Sequence, residues 1–239
     1  MTTPTLLLIP AVLLGLLPMA GHAQQKEDAA LLQIRAVWFD PVHPAAELFV
    51  MDPTGVLVRL KLIAEGLSEA QATQLANGSL VLYHSATADP AKPAANLAAT
   101  VKVPAETRRA IVIVLPGPPD SKPAFRMVLI NDSAAAFPMG ESRVLSLVHV
   151  ATAIEAGEHK LAVKPGTVVQ VPAVHKVNEF NLAQTNFYYR ENAAWVAFTE
   201  RQLQYLDAFR RVFIIHATPG ATEPSVTTVI DTAPAALPH

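Results

Sequence analysis

Residues 137–172 read FPMGESRVLSLVHVATAIEAGEHKLAVKPGTVVQVP, and this stretch decides the fold class. Its apolar segments are rich in valine, leucine and alanine, and turns interrupt them at Glu155-Ala156-Gly157 and at Pro165-Gly166. Short β-branched segments between glycine and proline are typical of consecutive antiparallel strands. The stretch therefore predicts three such strands, at residues 137–150, 159–164 and 167–172.

The same pattern of short apolar segments and turns continues along the rest of the chain. The 20 prolines disfavour long helices, and about a dozen strands are expected. We therefore predict an all-β fold with antiparallel β-sandwich architecture, arranged as two immunoglobulin-like or similar sandwich units in tandem. Residues 111–115 are apolar on both faces of a strand, which predicts a central strand that is covered on both sides.

Four local patterns predict helices or hairpins. Ser68 and Gln71 have the spacing of a capping box and predict a short helix within residues 66–78. Residues 201–207 predict a short helical turn. Tight turns at residues 52–55 and 191–192 predict two β-hairpins.

The chain is predicted to divide into a leader, two domains and a tail. Residues 6–19 are apolar, and Gly21-His22-Ala23 places small residues where a signal peptidase cleaves, although no Lys or Arg precedes the apolar run. The small and polar residues 131–136 favour a boundary between the halves. The expected parts are a signal peptide at 1–23, an N-terminal β-sandwich domain at 24–132, a C-terminal β-sandwich domain at 133–232 and a disordered tail at 233–239.

The composition favours an exported protein with a packed core. The chain has 239 residues, of which 51% are hydrophobic and 16% are charged. Its 18 basic and 20 acidic residues nearly balance, so charge favours no nucleic-acid partner. The broken apolar run at 6–19 is too short for an uncleaved transmembrane helix, so no membrane span is expected in the mature chain. The lack of cysteine excludes disulfides and thiolate metal sites. We expect a periplasmic or extracellular location.

The sequence contains no motif that is typical of a particular enzymatic reaction. No two of its eight histidines have metal-binding spacing, and neither a Gly-x-Ser-x-Gly motif nor a phosphate-binding glycine loop occurs. We therefore predict no enzymatic activity, no catalytic residues, no metal and no cofactor. A metal site assembled from distant strands is the alternative.

Aromatic residues concentrate on the second predicted hairpin. We take Phe187, Tyr188, Tyr189 and Trp195 as the candidate ligand-binding residues, because exposed rings would suit stacking on a sugar ring or on an aromatic partner. Strand alternation places Phe187 and Tyr189 on one face and Tyr188 on the other, so one set can be core and the other surface. The favoured alternative is cross-strand pairing that stabilises the hairpin, at roughly 0.2–1 kcal/mol for each pair.

The chain resembles a family of uncharacterised secreted bacterial β-rich proteins. The resemblance covers most of the mature chain and implies export and an all-β fold, without an activity. Similar proteins tend to have Asn where this chain has Ser146. The matching motifs are Asn131-Asp132-Ser133, Phe137-Pro-x-Gly140, Arg143-Val-Leu-Ser-Leu147, Gly157-x-His-Lys-Leu-Ala-Val-Lys-Pro-Gly166, Phe187-Tyr-Tyr-Arg190 with Trp195, and Val226 to Asp231.

These observations predict an exported, non-catalytic β-sandwich protein that acts in binding or in scaffolding at the cell surface or in the periplasm. The expected partner is a protein or a glycan. One alternative is a carbohydrate-active or hydrolytic enzyme whose site is assembled from separated strands. Another is a role like that of periplasmic pilus chaperones, which the chain resembles in size and architecture, although their paired basic cleft residues have no counterpart that the sequence identifies.

Overall fold

The computed structural model describes residues 31–90, 92 and 95–232, so the predicted signal peptide and tail lie outside the described residues. Within these ranges no helix is both long enough and apolar enough to cross a membrane. The named strands are β1 (Leu31–Trp38), β2 (Phe49–Met51), β3 (Leu57–Arg59), β4 (Ile63–Ala64), β5 (Gln71–Gln74), β6 (Ser79–Tyr83), β7 (Leu97–Lys102), β8 (Arg109–Pro116), β9 (Phe125–Asn131), β10 (Ser142–Ser146), β11 (Thr152–Ala156), β12 (His159–Val163), β13 (Val168–Val171), β14 (Leu182–Glu191), β15 (Ala194–Gln204), β16 (Phe209–Ala217) and β17 (Pro224–Thr232).

Strands β1 to β9 form two sheets that enclose one apolar core. Sheet A has the order β4-β1-β8-β9, with β5 also paired to β1, and sheet B has the order β3-β2-β6-β7. Ile34 and Val112 of sheet A pack with Leu80 and Leu82 of sheet B in this core, and all four side chains are buried. Burial of these faces, at roughly 25 cal/mol for each Å² of apolar surface, holds the two sheets together.

Strands β10 to β17 repeat this arrangement with a second core. Sheet C has the order β13-β10-β16-β17 and sheet D the order β12-β11-β14-β15. Val144 and Phe213 of sheet C pack against Ile154 and Phe187 of sheet D. Named strands pair antiparallel except at β1–β4, β1–β8 and β10–β16. The all-β sandwich prediction is thus confirmed, whereas independent folding of two domains that meet at residues 132 and 133 stays a prediction.

A third core joins sheet A to sheet C. Strand β8 directs Val112 into the first core and Ile113 into the third, because successive side chains point to opposite faces of a sheet. Strand β16 likewise directs Phe213 into the second core and Ile214 into the third. The sheets therefore lie in the order B, A, C, D, and both central sheets are covered on each face. This confirms the central strand predicted at residues 111–115.

Four charged side chains form a network where sheets A and C meet. Arg35 of β1 donates to both oxygens of Asp132 at 2.8 and 3.0 Å and to both oxygens of Asp231 at 2.6 and 2.7 Å. Arg210 of β16 also donates to Asp132 and, at 2.8 Å, to Asp231. Two arginines thus share two aspartates, and the network ties the N-terminal sheets to the C-terminal ones.

Residues 66–78 do not form the predicted helix. Residues 71–74 form strand β5, which pairs antiparallel with β1. The Oγ atom of Ser68 accepts a hydrogen bond from the backbone N–H of Ala36 at 2.9 Å, so this side chain supports the neighbouring strand instead of a helix end. Pairing with β1 satisfies the backbone hydrogen-bonding groups of this segment, as a helix of two to three turns would also have done. This pairing outweighs the weak local preference of the segment for a helix.

The predictions for residues 201–207 and 137–172 also need correction. Strand β15 continues to Gln204, because its last residues pair with the start of β14, so no helical turn begins at Arg201. The stretch 137–172 forms four strands where three were predicted, since residues 147–151 separate β10 from β11. Strands β10 and β13 pair in sheet C while β11 and β12 pair in sheet D, so the stretch bridges both sheets of the second sandwich.

Ser142 and Ser146 of β10 are buried, and their hydroxyls have no hydrogen-bond partner among the described residues. A buried hydroxyl without a partner costs about 1–3 kcal/mol of stability, so we expect Ser146→Ala to raise the free energy of unfolding by about 1 kcal/mol. Urea denaturation measures the change.

Thr185→Val is the matched control for Ser146→Ala, because the buried Thr185 hydroxyl is bonded to the hydroxyl of Tyr205 at 2.7 Å. Its removal leaves the Tyr205 hydroxyl unpaired and should lower stability. Equal losses in both variants would contradict the prediction.

Candidate functional site

Sheet D buries one face and leaves the other open. Along β14 the odd-numbered residues 183–189 are buried against the second core, and the even-numbered residues 184–190 are half-buried or exposed on the outer face. Opposite residues of paired antiparallel strands share a face, so the register extends this division across the sheet. The outer face of sheet D therefore carries Tyr188, and the inner face carries Phe187 and Tyr189.

The structure divides the four predicted aromatic residues between core and surface. Phe187 is 0% exposed, and its ring centre lies 5.2 Å from that of Phe213 in an edge-to-face contact. The ring of Tyr189 is also buried and meets Phe198 at 6.0 Å between ring centres. Phe187 cannot reach a ligand from this position, which corrects its inclusion among the ligand-binding candidates.

Tyr189 borders a depression at one end of the second sandwich. This depression has a volume of about 270 Å³, and its lining includes Tyr189, His149, Glu191 and Glu223. Burial raises the pKa of the Tyr189 phenol, and the carboxylates of Glu191 and Glu223 add to the effect. The phenol therefore keeps its proton at neutral pH. The ring itself packs mainly in the second core.

Tyr188 belongs to a polar network on the outer face of sheet D. Its hydroxyl donates to Oε2 of Glu155 at 3.1 Å and accepts from Nδ2 of Asn186 at 3.3 Å. The other carboxylate oxygen of Glu155 lies 2.9 Å from Nζ of Lys160. Lys160 lowers the pKa of Glu155, to which the Tyr188 hydrogen bond adds, so the carboxylate is charged at neutral pH. Three strands thus present an amide, a carboxylate and an ammonium group together.

Trp195 is the large exposed ring of this face. Its side chain is 43% exposed, at the start of β15, directly opposite Arg190 of β14. The Arg190 guanidinium lies over the indole, 5.4 Å from the ring centre. Such a contact is worth about 0.5–1 kcal/mol at an exposed site, so it helps to hold the ring in place without burying it.

Tyr188, Trp195, Glu155 and Lys160 border a shallow depression of about 300 Å³ on the outer face of sheet D. Its position on three paired strands and the neighbouring β15 makes it a rigid surface, because every strand is held by ladder hydrogen bonds. A rigid, open site of this kind suits a ligand that lies on the surface better than a small molecule that must be enclosed. The lining consists of Ala153, Ile154, Glu155, Lys160, Leu161, Ala162, Tyr188 and Trp195.

Two histidine–carboxylate pairs occur in the part of the chain that the structure describes, His43 with Asp40 at 2.8 Å and His159 with Glu158 at 3.4 Å. No three His, Asp or Glu side chains there are placed to hold a metal ion. His159 contacts the backbone oxygen of Ala173 at 3.0 Å, and His216 contacts the hydroxyl of Thr227 at 3.1 Å. These two imidazoles therefore have structural partners.

The sequence analysis missed Glu155, Lys160 and Asn186 as parts of the site. A signal for two of them was present, because Glu155 and Lys160 lie on either side of the turn at Gly157-Glu158 and face each other across a hairpin. Asn186 joins them only through the pairing of β11 with β14, which are more than twenty-five residues apart in the chain. Long-range pairing of this kind has no local pattern.

Comparison with protein-family models and with curated proteins identified no similar protein.

Proposed function

We propose that the protein is an exported, non-catalytic binding protein whose outer face of sheet D binds a glycan. The observation that carries the proposal is the exposed Trp195 ring beside the polar network of Tyr188, Glu155, Asn186 and Lys160. Export rests on the apolar segment at residues 6–19 and on the resemblance to secreted β-rich proteins.

The chemistry of a sugar ring fits both parts of this surface. One face of a pyranose presents C–H groups, which pack on an aromatic ring and release water from it. The rim of the same ring presents hydroxyls, each of which both donates and accepts hydrogen bonds. Carboxylate, amide and ammonium groups recognise such hydroxyls, and bonds to the charged groups are the stronger ones. An open depression accepts an internal segment of a long chain, because neither end needs to be enclosed.

Trp195→Ala tests the proposal. We expect the substitution to weaken glycan binding about tenfold or more, because it removes a stacking contact and the apolar area that the sugar buries. The measurement is affinity electrophoresis of the purified protein in gels that contain cellulose derivatives, xylan, mannan, starch or solubilised chitin. The binding polysaccharide then gives a dissociation constant by titration calorimetry.

Phe180→Ala is the matched control, because Phe180 is 63% exposed and does not line the depression. It should bind the polysaccharide as the parent protein does. Failure of the parent protein to bind any of the polysaccharides, or an equal loss in both variants, would refute the proposal. Release of shorter sugars from the bound polysaccharide would instead favour the hydrolytic alternative.

A further inference from the structure

We infer that the glycan is an uncharged chain that lies across the strands of sheet D, along a row of alanines. This inference rests on the proposed function and adds the direction and the charge of the ligand. It follows from the register of the four strands, which arranges the outward side chains in rows.

The first row consists of small residues on either side of Tyr188. Ala162 of β12 lies opposite Ala153 of β11, Ala153 lies opposite Tyr188 of β14, and Tyr188 lies opposite Ala197 of β15. Ala162 and Ala197 are exposed and Ala153 is half-buried, so their methyl groups form the floor that a ligand meets. The row runs perpendicular to the strands, because each residue is the direct partner of the next.

Longer side chains stand on both sides of this row. The row on one side consists of Lys160, Glu155, Asn186 and Glu200, which are also consecutive partners across the sheet. On the other side Arg190 and Trp195 lie opposite each other. Rows two residues apart on a strand are separated by about 7 Å, so the two walls stand about 13 Å apart. Alanine between these walls makes a trough wide enough for a sugar ring.

Tyr188 stands in the alanine row without blocking it. Its hydroxyl is bonded to Glu155 and Asn186, both in the polar row, so the ring leans toward that wall. The two alanines that line the depression, Ala153 and Ala162, stay accessible beside it. A chain in the trough would therefore meet the Tyr188 ring on one side and Trp195 on the other.

The charges along the trough favour a neutral ligand. The ammonium group of Lys160 is paired with Glu155, and the guanidinium of Arg190 lies over Trp195. Glu200 is exposed and adds a second carboxylate, whose charge offsets that of Arg190 on the opposite side of the trough, so these four groups carry no net charge. An acidic sugar would bring its own carboxylate close to Glu155 and Glu200, and no net positive charge compensates this repulsion, so uronic-acid chains should bind more weakly than neutral ones.

Four strands about 4.8 Å apart make the trough about 14 Å long between its outer strands, so we expect affinity to grow with the number of sugar units. The test uses oligosaccharides of increasing length, prepared from the polysaccharide that the parent protein binds, and oligogalacturonates for comparison. Ala162→Leu fills the end of the trough on β12. It should remove the gain in affinity of the longer oligosaccharides, at least fivefold, and leave the binding of the disaccharide unchanged.

Gln202→Leu is the control, because Gln202 is exposed on β15, beyond the polar row and opposite Gln184. Both substitutions are on exposed strand positions, and Ala197→Leu provides a second filling variant at the Trp195 end. If Ala162→Leu and Ala197→Leu bind normally while Gln202→Leu weakens binding, the chain runs along β15 and the inference is wrong. Tighter binding of oligogalacturonates would refute the neutral ligand. In either case a loss of binding in Trp195→Ala would leave the proposed function standing.

Discussion

Asp132→Asn is expected to lower the free energy of unfolding by about 3–5 kcal/mol, because it removes one carboxylate from a buried network and leaves two arginines with too little negative charge. The Asp132 side chain is 2% exposed and accepts hydrogen bonds from Arg35 and Arg210. Water cannot replace the lost partner at this depth. Urea denaturation followed by tryptophan fluorescence measures the change.

Glu69→Gln is the control, because Glu69 also forms a short ion pair, with Lys61 at 2.6 Å, but between exposed side chains. An exposed pair is screened by water and contributes little to stability, so this variant should stay close to the parent protein. A loss in Asp132→Asn no larger than that in Glu69→Gln would show that the network contributes little. Two separate unfolding transitions in Asp132→Asn would show that the network couples the two sandwiches.

The same network predicts a loss of stability in acid. Burial alone would raise the pKa of Asp231, but hydrogen bonds from Arg35 and Arg210 outweigh it and lower the pKa below its ordinary value. A carboxyl with a lowered pKa in the folded state contributes stability above its unfolded pKa of about 3.9, and loses it as the pH falls through the folded value. Stability measured from pH 6 downward should therefore begin to fall at about pH 4–5.

Phe187→Ala is expected to lower the free energy of unfolding by about 3–5 kcal/mol, because it removes a fully buried ring and leaves a cavity. The ring packs between Phe213, at 5.2 Å, and Phe198, at 6.3 Å between ring centres, in the second core. Neighbouring strands are held by their ladders and can close the cavity only in part. Thermal and urea denaturation measure the loss.

Tyr188→Phe is the neighbouring control, because it keeps the ring and removes only a half-buried hydroxyl on the outer face of sheet D. Its stability should change by about 1 kcal/mol or less, while its glycan affinity should fall because Glu155 and Asn186 lose the hydroxyl that positions them. Equal stability losses at positions 187 and 188 would contradict the division of the hairpin into a core face and a ligand face.

Local sequence patterns were sufficient for the hairpin that carries the site. The turn between β14 and β15 falls at Asn192 and Ala193, both with positive φ, next to the predicted Glu191-Asn192. Alternation then placed Phe187 and Tyr188 on opposite faces, as the structure shows. The apolar run at residues 111–115 indicated a strand covered on both faces. These features depend on backbone preference and on the two-residue period of a strand, which a short segment contains by itself.

Long-range strand pairing determined the features of the fold and of the site that local patterns did not predict. The sequence determined by itself that the chain is all-β, free of cysteine and built of strands with an apolar face. Only the tertiary structure placed β10 and β11 in different sheets, turned residues 71–74 into a strand beside β1, and brought Arg35 to Asp231. It also aligned Lys160, Glu155 and Asn186 in one row. The physical reason is that a strand's own residues specify its faces, while its neighbour is chosen by the packing of the whole core, to which distant segments contribute equally.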